Sequence, residues 1–216
     1  MSVETFQAMA QSVIDGEREE AARLARQAVA DGIDPLVAID QGFVAGMRYV
    51  GEQYTLGEMF LPDLVLAAAA LMAAIAELEP EMARRGTARQ VLGTVVIGTV
   101  EGDIHDIGKT LVGTLLSANG FKVYDLGVNV PLQTFLDKAL EVNADIIGLS
   151  TLLTTTMINQ RKFIQALEAA GVRSRFKVLV GGAPVTRSWA AEIGADGYSE
   201  DASGAVQAAV QLMQGG

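Results

Sequence analysis

The stretch Val91-Leu92-Gly93-Thr94-Val95-Val96-Ile97-Gly98-Thr99-Val100-Glu101-Gly102-Asp103-Ile104-His105-Asp106-Ile107-Gly108 decides how this chain folds. Its opening part, Val91 to Ile97, is apolar and β-branched and has the length of a buried strand. A loop bounded by Gly102 and Gly108 follows, and a helical pattern runs from Ile107 to Ala118. Strand, loop and helix in that order form the first unit of a parallel sheet covered by helices. The same loop carries the sole histidine of the chain, His105, flanked by Asp103 and Asp106, where a single imidazole can reach a metal.

Downstream the rhythm repeats. Strand-like runs at Lys122 to Asp125, Asp145 to Leu149, Lys177 to Val180 and Gly197-Tyr198 alternate with helical segments. Those segments cover roughly Leu132 to Val142, Thr156 to Ala170, Ser188 to Ile193 and Ala202 to Met213. The expectation is an α/β domain of five parallel strands, Rossmann-like or flavodoxin-like, wound on both faces.

Upstream, from Ser2 to about Arg85, the period is helical and four helices fit. Asp15-Gly16 and Asp31-Gly32 read as helix stops. Asp34-Pro35 opens the third helix, with Leu36, Ile39, Phe43, Met47 and Val50 on its core face. A turn is expected at Gln53 to Glu58, and the fourth helix begins at Met59-Phe60-Leu61-Pro62-Asp63 and loses its pattern near Pro80. Two domains result: an all-α four-helix bundle over residues 1–88 and the α/β domain over 89–216, with Pro80 to Gln90 as the expected hinge.

Composition narrows the function. Among 216 residues the net charge is -10, which argues against nucleic acid or an anionic membrane as the main partner. There is no cysteine, so thiolate metal sites and thiol nucleophiles are excluded. The start, Met1-Ser2-Val3-Glu4-Thr5, lacks the pattern of a secretory signal, and a cytoplasmic location is expected. Leu64 to Ile75 is alanine-rich, bounded by Asp63 and Glu77, and too short to span a bilayer, so it reads as a buried helix.

In an open α/β sheet, ligands bind beyond the carboxyl ends of the strands. Three loops there stand out: the His105 segment, Ser150-Thr151-Leu152, and Gly181-Gly182-Ala183-Pro184. Ser150 offers a small hydroxyl, and Gly181 and Gly182 remove bulk that would block a flat or deep ligand. Ser150 equally suits a helix cap and the glycine pair a plain turn, while Asp103 and Asp106 also suit a divalent ion in a receiver-like domain. The residues alone leave these readings open.

Read together, D-x-H-x-x-G, forty-one residues from Lys109 to Leu149, S-x-L, twenty-eight from Leu153 to Val180, and G-G resemble the fingerprint of cobalamin-binding proteins that replace the cofactor's own base with histidine. The helical half resembles the cap domain of methyl-carrying corrinoid proteins. Its Gly57-Glu58-Met59-Phe60-Leu61-Pro62 turn is similar to that of cobalamin-dependent methionine synthase. The run Leu153-Thr154-Thr155-Thr156-Met157 and the ending Gly194 to Ala202 are more similar still to the small corrinoid proteins of methylotrophic methyltransferase systems.

The resemblance implies a cofactor, cobalamin or a related corrinoid, with His105 as lower axial ligand to cobalt, Asp103 bonded to its other ring nitrogen, and Thr156 extending that relay. Gly102, Ile104, Asp106, Ile107 and Gly108 would border the corrin. Ser150, Leu152, Thr154, Gly181 and Gly182 would line the channel for the nucleotide tail, with the Tyr198 to Asp201 loop at its mouth. Tyr54, Leu61 and Leu64 would form an apolar lid over the methyl group, although methionine synthase has phenylalanine where Tyr54 stands. The implied activity is that of a methyl carrier cycling between methyl-cobalt(III) and cobalt(I). Its implied partners are a substrate-specific methyltransferase, an acceptor methyltransferase using a thiol or tetrahydrofolate, and a reductive activase. A cobalamin-binding sensor subunit and the cobalamin subunit of an adenosylcobalamin mutase are the alternatives.

Overall fold

In the computed structural model, which describes residues 3–86 and 91–214, the first half of the chain is helical throughout. Helices α1 (Val3–Ile14) and α2 (Arg18–Ala30) precede one uninterrupted helical run and a long final helix, α5 (Leu61–Arg85). The uninterrupted run consists of α3 (Pro35–Val37), a π-helical stretch (Ala38–Phe43) and α4 (Val44–Leu56). Asp34 starts it by accepting the Leu36 and Val37 amides at 2.9 and 3.3 Å, with Pro35 in the first helical position. Ile39, Phe43, Met47 and Val50 are buried as expected, and Leu36 is half-buried. A methyl group on Gly46 would sit 2.3 Å from the Ala10 carbonyl oxygen, so glycine there permits the close approach of α1 and α4.

Two helix ends differ from expectation. Gln53 to Leu56, expected in a turn, are the last helical turn of α4, because Gly57 is the first residue to take the left-handed conformation that closes a helix (φ 77°). The fourth helix does not fail at Pro80 but continues to Arg85 and ends at Gly86. Proline removes one intrahelical bond there, while Glu81 holds the following turn by pairing with both Arg84 and Arg85 at 2.6 Å. Side-chain bonds from those two arginines keep the Glu81 carboxyl down at about 2. The expected hinge is therefore helical from Pro80 to Arg85, and its remainder at 87–90, with the 88/89 boundary, lies outside the described residues.

With 25 residues, α5 is also longer than the Leu64 to Ile75 core read from sequence, and by length and apolarity alone would suffice to cross a membrane. Its Ala67, Ala68, Ala70, Leu71, Ala74 and Leu78 are nevertheless fully buried. Packing against α2, whose Ala21, Ala25 and Ala28 are also buried, uses small side chains on both helices.

The chain divides into two compact units, Met1–Gln90 and Val91–Gly216. The second is a sheet of β1 (Thr94–Thr99), β2 (Lys122–Asp125), β3 (Ile146–Ser150), β4 (Lys177–Gly181) and β5 (Gly197–Ser199). The strands lie in the order β2-β1-β3-β4-β5, all parallel. Between them run α6 (Ile107–Ala118), α7 (Leu132–Glu141), α8 (Ile158–Ala169), α9 (Arg187–Ile193) and α10 (Ala202–Gln214).

Alternation along each strand divides the core in two. Val95, Ile146 and Leu179 meet Leu116 of α6 and Ala205 and Ala209 of α10 on one face. Val96, Ile147, Val178 and Val180 meet Phe135, Phe163 and Ile193 of α7, α8 and α9 on the other. The order of strands reverses direction between β1 and β3, which opens a crevice at their carboxyl ends. Register brings Thr99, Ser150, Gly181 and Ser199 abreast at that edge.

Candidate functional site

The three loops singled out from sequence meet at this edge, and Asp103 is what ties the first two together. Its side chain is fully buried. One carboxylate oxygen, Oδ1, accepts the His105 ring Nδ1–H at 2.7 Å and the His105 amide at 3.1 Å. The other, Oδ2, accepts the amides of Leu152 and Leu153 at 2.7 and 3.2 Å and lies 3.0 Å from the hydroxyls of Thr151 and Thr156. Burial pushes the Asp103 carboxyl up, but the hydrogen bonds, led by those from the Leu152 and His105 amides, outweigh it and hold the group well below the usual carboxylate range.

An ionised carboxylate can only accept, so the ring nitrogen facing it carries the hydrogen. Neutral His105 then has its lone pair on Nε2, which has no hydrogen-bond partner among the described residues. The imidazole is 46% exposed, flanked by Ile104 at 73% and Ile107 at 86%. Leu152 and Leu153, on the loop bonded to Asp103, are exposed as well. A methyl group on Gly108 would meet nothing within 4 Å. The edge thus offers one nitrogen donor inside an open apolar surface, which suits a metal that brings its other ligands in a flat apolar frame.

The same geometry speaks against Asp103 as a ligand in the divalent-ion alternative. Both Asp103 oxygens are already engaged by N–H donors, Oδ1 by the His105 ring and amide and Oδ2 by the Leu152 and Leu153 amides, so a cation there would face those N–H groups.

The chain matches the B12 binding domain twice, over residues 93–207 and, in a second form of that domain, over residues 5–79. It belongs to the B12-binding corrinoid proteins. This corrinoid protein is 50% identical over 195 residues to trimethylamine corrinoid protein 1 of Methanosarcina acetivorans, covering 90% of each chain. A corrinoid protein of Desulfitobacterium hafniense is 46% identical over 204 residues, 94% of each chain. Among solved structures, the methanol:cobalamin methyltransferase complex MtaBC of Methanosarcina barkeri matches all of this chain and 82% of its own, with TM-score 0.89 and 29% identity. A cobalamin-binding protein of Desulfitobacterium hafniense matches 95% of this chain and 97% of its own, with TM-score 0.73 and 36% identity.

Within the corrinoid protein the other expected site residues fall as follows. Ser150 ends β3 half-buried, and its hydroxyl has no partner among the described residues. Thr154, four residues further on, is exposed, and Gly181 is half-buried at the end of β4. Asp201 accepts the Gly204 amide at 2.7 Å and so caps α10. At Gly182 a methyl group would lie 1.7 Å from the Thr151 carbonyl oxygen, so the neighbouring loop by itself already demands glycine there. In the helical unit Leu61 is exposed at the start of α5, Tyr54 is half-buried in α4 and Leu64 is buried.

Sequence reading missed the groups that brace the His105 loop. Thr99 Oγ1 donates to the His105 carbonyl oxygen at 2.8 Å. Asn129, at φ 53°, donates its amide to the Asp103 carbonyl and accepts the Gly102 amide on its side chain, both at 2.8 Å. Asn159 Nδ2 donates to the Glu101 carbonyl oxygen at 2.8 Å. Asparagine tolerates the left-handed region, so Asn129 ahead of Pro131 was the one available signal; Thr99 and Asn159 act across 6 and 58 residues and leave none.

Replacement Asp103→Asn places an amide N–H₂ against donors on one side or the other. A loss of about 3 kcal/mol in unfolding free energy is expected from urea denaturation. Because the native pKa lies below the ordinary 3.8, the carboxylate's contribution is complete above that value and fades as pH falls through the native one. The gap between wild type and variant should hold constant from about pH 6 to 8 and narrow below about pH 4.

Proposed function

We propose that this corrinoid protein is a methyl carrier in which His105 Nε2 would be the protein's ligand to the cobalt of a base-off corrinoid. Bound there, a corrinoid supplies a metal that alternates between cobalt(I) and methyl-cobalt(III). Asp103 fixes the tautomer that leaves Nε2 free and raises its basicity. Ile104 and Ile107 keep water from that face, and Ser150, Leu152, Thr154 and Gly181 border the slot into which the nucleotide tail would descend. The observation that carries this reading is the single available imidazole nitrogen, aligned from behind by a buried carboxylate within an apolar rim.

A substrate-specific methyltransferase would load the carrier, an acceptor methyltransferase using a thiol or tetrahydrofolate would unload it, and a reductive activase would restore cobalt(I). That oxidation state favours the reducing cytoplasm as the location. Relatives named for trimethylamine and dimethylamine support an amine donor. The test is methyl loading of the reduced, cobalamin-reconstituted chain, followed by visible absorbance, with trimethylamine, dimethylamine or methanol and the corresponding donor methyltransferase. An amine system is expected to load it fastest; absence of loading by every system would overturn the carrier reading.

A further inference from the structure

Asp103 Oδ2 faces two hydroxyls, not the single one expected at Thr156. Thr151 Oγ1 and Thr156 Oγ1 each lie 3.0 Å from it and 2.6 Å from one another. Both residues are buried, at 0% and 7% exposure. Each hydroxyl has one hydrogen, and a 2.6 Å separation requires one of the two hydrogens to lie between the oxygens. One hydrogen remains.

That hydrogen reaches Asp103 from Thr156 when Thr151 donates to Thr156, and from Thr151 when the order reverses. It can also turn to the Leu153 carbonyl oxygen, 2.9 Å from Thr156 Oγ1 and 3.3 Å from Thr151 Oγ1. Asp103 therefore receives one hydroxyl hydrogen or none with no heavy atom moving. The carboxylate keeps its place in either case, because the amides of His105, Leu152 and Leu153 hold it from the main chain.

We propose that Thr151 is a second positioning residue of the relay, sharing with Thr156 one interchangeable hydrogen bond that sets how strongly Asp103 polarises the His105 ring. A hydroxyl bond draws charge from the carboxylate and weakens its pull on Nδ1–H; a hydroxyl turned to Leu153 restores that pull and makes Nε2 a better donor. Either threonine supplies the bond when the other is missing.

The first readout needs no cofactor. With one histidine in the chain, the ring signals of His105 in nitrogen-15 NMR assign themselves. At one fixed pH, Thr151→Val and Thr156→Val are each expected to leave the Nδ1–H proton near its wild-type shift, and the double variant to move it downfield. Thr151→Ser combined with Thr156→Val should restore the wild-type shift, which separates a hydroxyl effect from a folding defect; circular dichroism confirms that each variant folds. A full change in Thr156→Val alone, or none in the double variant, would overturn the proposal.

The second readout rests on His105 as the cobalt ligand and uses the full chain reconstituted with methylcobalamin. The ratio of His105-bound to unbound cofactor, read from visible absorbance, is expected to rise on the order of tenfold in the double variant and less than about threefold in either single one. His105→Ala, measured alongside, separates the two failures. A spectrum unchanged by that substitution refutes the ligand reading, while the cofactor-free NMR series still decides whether the threonines share their bond.

Discussion

His105→Ala is expected to fold like wild type and to strip reconstituted cobalamin of its lower nitrogen ligand. The imidazole is nearly half exposed and makes one side-chain hydrogen bond, and the main-chain amide of residue 105 that also binds Asp103 is retained. Stability should therefore change by no more than about 1 kcal/mol. Binding chemistry should change far more. Loss of an outer partner of a metal ligand typically costs 10–100-fold in affinity or activity, and loss of the imidazole proposed as the ligand itself should exceed roughly 100-fold in methyl-loading rate. Visible absorbance of the reconstituted chain and a thermal melt check both halves; wild-type absorbance with wild-type loading would refute the assignment.

Gly182→Ala should be the most damaging substitution for the sheet unit. The added carbon would lie 1.7 Å from the Thr151 carbonyl oxygen, 2.7 Å from its carbon and 3.0 Å from its nitrogen, at a backbone φ of +123° that side chains rarely adopt. Relief requires Thr151 to move, yet its amide donates to the Gly181 carbonyl at 3.2 Å and its hydroxyl belongs to the Asp103 network. A loss of more than about 4 kcal/mol is expected, seen as a melting transition lower by roughly 10 °C or as failure to fold. Gly181→Ala is the control: its added carbon would meet only the Ser199 carbonyl oxygen, at 3.4 Å. That variant should melt within a few degrees of wild type while binding cobalamin more weakly, as the slot beside Ser150 narrows.

The two glycines show where sequence reading reached its limit. Side by side they make one motif, and bulk removal explains both equally well. Only the packing of two loops, thirty residues apart from Thr151 to Gly181, separates a glycine that leaves space from one that surrenders it to main chain. Pro80 shows a similar limit. Proline is a strong local breaker, but Leu78 and Met82, buried on either side of it, keep α5 helical by tertiary packing past the one bond it removes. Thr151 was in view as part of Ser150-Thr151-Leu152, yet its approach to Thr156 depends on how the chain turns after β3, which no periodicity encodes.

Local chemistry determined by itself the alternation of strands and helices, the helical first half, and the placement of His105 between a strand and a helix, because side-chain period and loop glycines act over a few residues. The tertiary structure alone decided which oxygen of Asp103 meets which donor, which ring nitrogen of His105 is left free, and why Gly182 admits no side chain. Those properties arise from contacts between segments about fifty residues apart, such as Asp103 with Leu152 and Thr156, and angstrom-scale distances between such segments exist only once the sheet has aligned its carboxyl ends.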